Sequence, residues 1–215
     1  MPERVAIYFA PAQDSVLDLK ASAWLARKDI ASLTLSARRY GFHATIKAPM
    51  ALKPGKKAAE LAADLKHWCS KEAPVNAGRI EVRHIDGFLA LVPVAQPEEL
   101  TNLAGRVVED FDRFRAPLDP KDRAKRLRAP LTDRQIKLLD KFGYPYVLEQ
   151  FQFHLTLTDR LPPAQAAKLL AEARAHFTEV TTSYLLVDRL VLFHERQQGG
   201  DFDRGEEFVL GSGHG

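Results

Sequence analysis

One pattern constrains this 215-residue chain more than any other, because it occurs twice. The segments Tyr40-Gly-Phe-His-Ala-Thr-Ile-Lys47 and Phe151-Gln-Phe-His-Leu-Thr-Leu-Thr158 both alternate apolar and polar residues. Alternation with a period of two is the mark of a strand with one buried face. In the first, Phe42, Ala44, Ile46 and Ala48 share a side, and His43, Thr45 and Lys47 share the other. In the second, Phe151, Phe153, Leu155 and Leu157 oppose Gln152, His154, Thr156 and Thr158. A chain built on these segments must hold two strands that pack on one side and present His-x-Thr on the other.

The rest of the sequence supplies matching elements. Residues 4–10 alternate as a strand ending near Pro11, and 42–48 form a second strand stopped by Pro49. Helices are expected over about 15–28, with Asp14 or Ser15 as cap, and over about 57–72. A polar connector containing Arg38, Arg39, Tyr40 and Gly41 precedes the second strand. Ala77–Ile85 and Phe88–Pro93 read as a hairpin turned at Asp86-Gly87, and Glu98–Phe114 as a helix. Residues 150–158 form a further strand, followed by a helix over about 163–176 and a final hairpin of Ser183–Glu195 with Glu206–Leu210. The tail 211–215 reads as frayed. Between these lies 115–148, with two prolines (Pro117 and Pro130), the basic run Lys121–Arg128, a short helix at 132–142 and Gly143-Tyr-Pro-Tyr146. The expected fold is α+β: a single domain over 1–215, bilobal and pseudo-twofold. Its duplicated strand-helix units would carry antiparallel sheets around a central cleft, with 115–148 as a helical insertion or lid.

Composition narrows the chemistry. Lysine and arginine exceed aspartate and glutamate by 31 to 28, a net charge of +3. That excess suits an anionic small substrate and is too small to demand nucleic acid. The basic run lacks the aromatics of a single-strand groove and reads as a solvated face. Cys69 is the only cysteine, which excludes an internal disulfide and fits a reducing cytoplasm. No apolar run is long enough for a membrane span, and the N-terminus lacks a secretory h-region. The remaining histidines (His67, His84, His176, His194, His214) show no zinc spacing. Glycine-rich nucleotide loops and a Gly-x-Ser-x-Gly elbow are also missing from the sequence. The expectation is therefore no metal, no cofactor and no membrane.

Two imidazoles on one cleft can work as acid and base near neutral pH. Threonine hydroxyls two residues away on the same face can donate to phosphate oxygens where charge accumulates. His43, His154, Thr45 and Thr156 are thus the candidate catalytic groups. Candidate substrate contacts are Lys47 and Thr158 on the same faces, Tyr8 on the opposite parity from Ile7, and Arg38, Arg39 and Tyr40 just before the first motif. Arg115 and Tyr144 in the insertion complete the set. Arg134, Gln135 and Tyr146 are lesser candidates there, and Gly143 gives local freedom to a lid.

The paired motif resembles the two-histidine phosphoesterase superfamily, which includes enzymes that open 2′,3′-cyclic phosphates and RNA ligase-like cyclic phosphodiesterases. More closely, the chain is similar to a bacterial branch associated with phosphonate metabolism. The likeness runs through Arg4-Val-Ala-Ile-Tyr-Phe-Ala-Pro11, Tyr40–Pro49, Gly87–Leu91, Phe111-Asp-Arg-Phe-Arg-Ala-Pro-Leu118, Gly143–Val147 and Phe153–Thr158. The resemblance implies two lobes with His43 and His154 facing each other, supported by Thr45 and Thr156. It also implies a metal-independent hydrolase for a cyclic phosphate or small phosphodiester, such as a cyclic ribose phosphate from phosphonate breakdown. Two alternatives share the site: a 2′,3′-cyclic phosphodiesterase acting on RNA ends, and a non-catalytic module that binds a phosphorylated ligand.

Overall fold

A computed structural model describes residues 3–197 and 199–212; His214 and most of the expected frayed tail lie outside them. In chain order the elements are β1 (Arg4–Phe9), α1 (Val16–Leu25), α2 (Leu35–Tyr40), β2 (Ala44–Ala51), α3 (Ala58–Cys69), β3 (Val75–Ile85), β4 (Phe88–Pro93) and α4 (Glu98–Asp110). There follow α5 (Pro120–Arg126), α6 (Asp133–Phe142), β5 (Leu155–Thr156), α7 (Pro163–His176), α8 (Thr178–Thr181), β6 (Tyr184–Val187), β7 (Arg189–Glu195) and β8 (Asp203–Val209).

The strands form two four-stranded antiparallel sheets, ordered β2-β1-β7-β8 and β5-β4-β3-β6. The orders correspond. Each sheet has a His-x-Thr strand at one edge, paired to the strand that precedes it in the chain. Each also takes a strand from the C-terminal part of the chain: β7 joins β1, and β6 joins β3. Because β6 and β7 follow each other in the chain, their division between the sheets ties the two lobes together, and the expected duplicated arrangement holds. After each motif strand a helix covers a sheet: α3 packs on β7 and β8, and α7 on β3.

Strand β1 is buried on both faces. Val5, Ile7 and Phe9 enter the main core, together with Ile80, Val82, Leu89 and Leu91 of the second sheet. Ala6 and Tyr8 join Val191, Phe193 and Phe202 in a second cluster on the opposite face, with Tyr40 packed against it. That second face is the floor on which the functional groups stand. The β3–β4 turn has positive φ at Asp86 (48°) and Gly87 (89°), the combination that a two-residue hairpin loop requires.

Four expectations are corrected. Strand β2 runs through Pro49 to Ala51, because an edge strand tolerates a residue without an N–H. Only Leu155–Thr156 of 150–158 is ladder-bonded. The stretch 183–195 is two strands, broken at Asp188, with β6 in one sheet and β7 in the other. The polar connector before the first motif contains the helix α2, whose buried Ala37 lay below the reach of a periodicity reading. In the 115–148 segment, Thr132 and Gln135 form a capping box for α6, and Leu138, Phe142 and Val147 pack with Val108 of α4.

Candidate active site

The two histidines sit just before their strands and are held alike. His43 Nδ1 lies 2.9 Å from the Gly41 carbonyl, and His154 Nδ1 lies 2.8 Å from the Gln152 carbonyl. A carbonyl only accepts, so each Nδ1 carries the proton and each Nε2 is left for chemistry. Gly41 makes the first tether possible. Its φ is +69°, and a β-carbon there would meet the Phe193 ring at 3.3 Å.

The surroundings differ between the two rings. His43 stacks on Tyr8 with ring centroids 3.8 Å apart and 17° between planes. Its Nε2 is 3.3 Å from the Thr45 hydroxyl. Desolvation by this packing pushes the His43 pKa down to about 4, the Gly41 hydrogen bond opposes it, and the charge of His154 lowers it further. His154 touches Phe88 at 5.7 Å between centroids. Its pKa is also lowered, chiefly by desolvation, with the Gln152 carbonyl and Asp86 acting to raise it. The charge of His154 is felt at His43, which places the two rings within electrostatic reach of each other.

A cavity of about 270 Å³ is lined by His43, Thr45, Thr156, Tyr8, Tyr40 and Tyr144 among others. It lies close to the lower end of the roughly 300–1,000 Å³ range usual for small-ligand sites. Ser36 and two arginines, Arg4 and Arg126, complete its polar lining. Burial raises the pKa of both Tyr8 and Tyr144, so both phenols stay protonated and able to donate.

The second motif owes its placement to a residue outside it. The side-chain carbonyl of Gln96 accepts the Phe153 N–H at 2.7 Å, and its amide donates to the Phe151 carbonyl at 3.1 Å. Gln96 thus replaces a strand neighbour where the ladder stops, which explains why the alternation of 151–157 survives without regular pairing. Thr158 is fully buried, and its hydroxyl accepts the Leu89 N–H at 3.0 Å.

Lys47 departs from the face it was expected to share with His43. Between Tyr8↔Thr45 and Ile7↔Lys47 the pairing register shifts, so β2 carries an extra residue there. Such a bulge reverses the parity of the residues beyond it. Lys47 is buried against α4 instead, donating to the Val108 carbonyl at 2.9 Å and to Asp112 at 3.1 Å. Arg115 holds the same Asp112 through two bonds of 2.7 and 3.0 Å and donates to the Lys141 carbonyl at 2.7 Å. Both cations therefore brace the base of the 115–148 segment. Arg38 donates to the Ala31 carbonyl. Arg39 binds the buried carboxylate of Glu195 at 2.6 Å and the Gly200 carbonyl at 2.8 Å. Glu195 also pairs with Arg4 and accepts the Gly199 N–H. Burial works to raise its pKa; these partners outweigh it and keep the carboxylate ionised.

The structure thus brings His43, Thr45, Thr156, Tyr8, Tyr40 and Tyr144 to one cavity; His154, two residues before Thr156, is not in its lining. It places Lys47, Thr158, Arg38, Arg39 and Arg115 in other bonding networks. Arg4, Ser36, Gln96 and Arg126 were not singled out from the sequence. Only Arg126 had a signal, as one member of the basic run.

Comparison with known proteins agrees with this architecture. The chain is similar to a protein of Janthinobacterium sp. (strain Marseille) named ribose 1,5-bisphosphate phosphokinase PhnN, with 36% identity over 93% of this chain and 49% of that protein. It spans about half the length of the curated relatives it matches. Among solved structures it is similar to TT0787 of Thermus thermophilus, with TM-score 0.50, 15% identity and coverage of 98% of this chain and 100% of that one. E. coli LigT complexed with 3′-AMP gives TM-score 0.48 and 14% identity, covering 98% of this chain and 99% of that one. The likeness to TT0787 is one of fold, at 15% identity. Residues 45–203 match the family model described as "Protein of unknown function (DUF1045)", and the chain belongs to that family.

Proposed function

We propose that this protein is a metal-independent phosphoesterase that opens a cyclic phosphodiester on ribose. The observation that carries this reading is the matched pair of imidazoles, each tethered at Nδ1 by the carbonyl two residues earlier. Each leaves Nε2 for chemistry, with a threonine of the same motif two residues on.

In the reaction, His43 Nε2 takes a proton from water as the water oxygen bonds to phosphorus. The bond from phosphorus to one ring oxygen breaks, and His154 Nε2–H delivers a proton to that oxygen. Water is consumed and a phosphomonoester remains. The Thr45 and Thr156 hydroxyls donate to the non-bridging oxygens as charge builds on them. The asymmetry of the site supports this assignment of roles. His43 is the more strongly desolvated ring and stays neutral at pH 7, which suits a base. His154 has the nearby Asp86 to favour its charged form, which suits an acid once a phosphate is bound.

Two substrates fit the chemistry. A 2′,3′-cyclic ribonucleotide, alone or at an RNA end, is favoured by the tyrosines of the cavity, which offer faces for a base. A 1,2-cyclic phosphate of ribose is favoured by the relatives' printed name. Opening it at the carbon-2 oxygen leaves a ribose 1-phosphate ester, the ester class found in ribose 1,5-bisphosphate. The test is a panel in chelator: adenosine 2′,3′-cyclic phosphate, ribose 1,2-cyclic phosphate and an oligoribonucleotide with a 2′,3′-cyclic end. Turnover of at least one, abolished in H43A and H154A, is expected. Turnover of none, or turnover only when a divalent metal is added, contradicts the reading.

A further inference from the structure

Helix α5 carries two arginines three residues apart with different fates. Arg123 is paired with Asp140 across the 115–148 segment, Nε to Oδ1 at 2.6 Å. Arg126 is half-buried, lines the cavity that holds His43, Thr45 and Thr156 and lies over the Tyr144 ring at 5.0 Å. Among the described residues it forms no ion pair. The other arginine of that cavity, Arg4, is held in an ion pair with Glu195, which it shares with Arg39. Arg126 is thus the cation left to meet a second anionic group on the ligand, with the Tyr144 ring limiting its rotamers so that little side-chain freedom is lost on binding.

The space beyond Arg126 sets the kind of anion. A smaller recess of about 90 Å³ continues past Arg4 and Arg126, and Asp119 and Asp122 are in its wall. A polyanion threading that way would run toward two carboxylates. A single terminal phosphate would stop at the arginine. We propose that Arg126, backed by Tyr144, is a specificity residue for a terminal phosphomonoester on the same ribose as the cyclic phosphate. This rests on the cyclic-phosphodiester reading for its first anchor point.

Three ligands share one cyclic end and differ only at the 5′ oxygen: adenosine 2′,3′-cyclic phosphate, its 5′-phosphate, and the dinucleotide in which that oxygen carries a phosphodiester. The wild-type chain is expected to turn over the 5′-phosphate with a kcat/KM about 10–100-fold above the other two, the size of a charge-assisted contact. R126M should lower kcat/KM for the 5′-phosphate much more than for the unphosphorylated compound, removing that advantage, and R126K should restore part of it. Equal loss on all three ligands, or no wild-type preference, overturns the proposal; preference for the dinucleotide replaces it with an RNA subsite. Calorimetric binding of the same ligands to H43A, with and without R126M, separates the two claims. A 5′-phosphate advantage that R126M removes there, with no turnover in the wild-type chain, would leave the subsite standing and sink the esterase reading.

Discussion

The two half-sites share one motif and differ in how they are held. Thr45 and its neighbours stand on an eight-residue strand paired with the doubly buried β1, and His43 is pressed against Tyr8. Thr156 stands on a two-residue strand, and the backbone leading to His154 hangs on the side chain of Gln96. The first ring is fixed by packing and the second by a few polar bonds. Packing excludes water and drives the His43 pKa down; polar tethering leaves His154 more accessible and closer to a carboxylate. A duplicated fold has in this way been given unequal environments, which is what the proposed acid and base require.

The comparison is broken most severely by removing either ring. H43A and H154A are each expected to lose about 10²–10⁴-fold in turnover, with far-UV circular dichroism unchanged. The double variant should be little worse than either single one, because the two groups act in one step. If only one substitution hurts, the halves do not cooperate.

Q96A tests the tether. It leaves the Phe153 N–H and the Phe151 carbonyl without their partner, at a cost of about 1–3 kcal/mol if both stay buried. Loss of kcat should exceed any rise in KM, and the acid limb of the pH profile, set by His43, should stay in place. A pure change in melting temperature with normal kcat would reduce Gln96 to a structural role.

How much of this was legible follows the same divide. The face of His43 and Thr45, the partner face of His154 and Thr156, and the helices after them were readable, because alternation and amphipathic spacing are local. The position of Lys47 was not, because a bulge is a property of pairing with β1 and leaves no mark in composition. Gln96 and Arg126 were hidden for a different reason. Their roles arise from contacts with residues distant in the chain, and the division of β6 and β7 between the two sheets likewise exists only in the assembled fold.

The pH profile sharpens the inequality. On the proposed roles, kcat/KM requires His43 neutral and His154 protonated in the free protein. The acid limb then rises through about 4. His154 has a pKa lowered from 6.5, so its protonated fraction falls as pH rises, and the alkaline limb lies on the acid side of 6.5. In kcat that limb should move upward, because bound phosphate favours the imidazolium. A kcat/KM optimum above pH 7 would mean that the roles or the environments are wrongly assigned.

The smallest effect is expected from K47M. Lys47 is buried away from the cavity, and Asp112 keeps its two bonds to Arg115 without it. Turnover should stay near that of the wild type, with any change confined to the melting temperature. A large loss of kcat at full folding would return Lys47 to the site.

The most direct measurement is a side-chain ¹⁵N NMR titration of His43 and His154 with and without saturating inorganic phosphate. A single anion shared by two rings must raise both midpoints together, and H43A should lessen the rise at His154. A phosphate response confined to one ring, or two midpoints that shift independently, would contradict a common site.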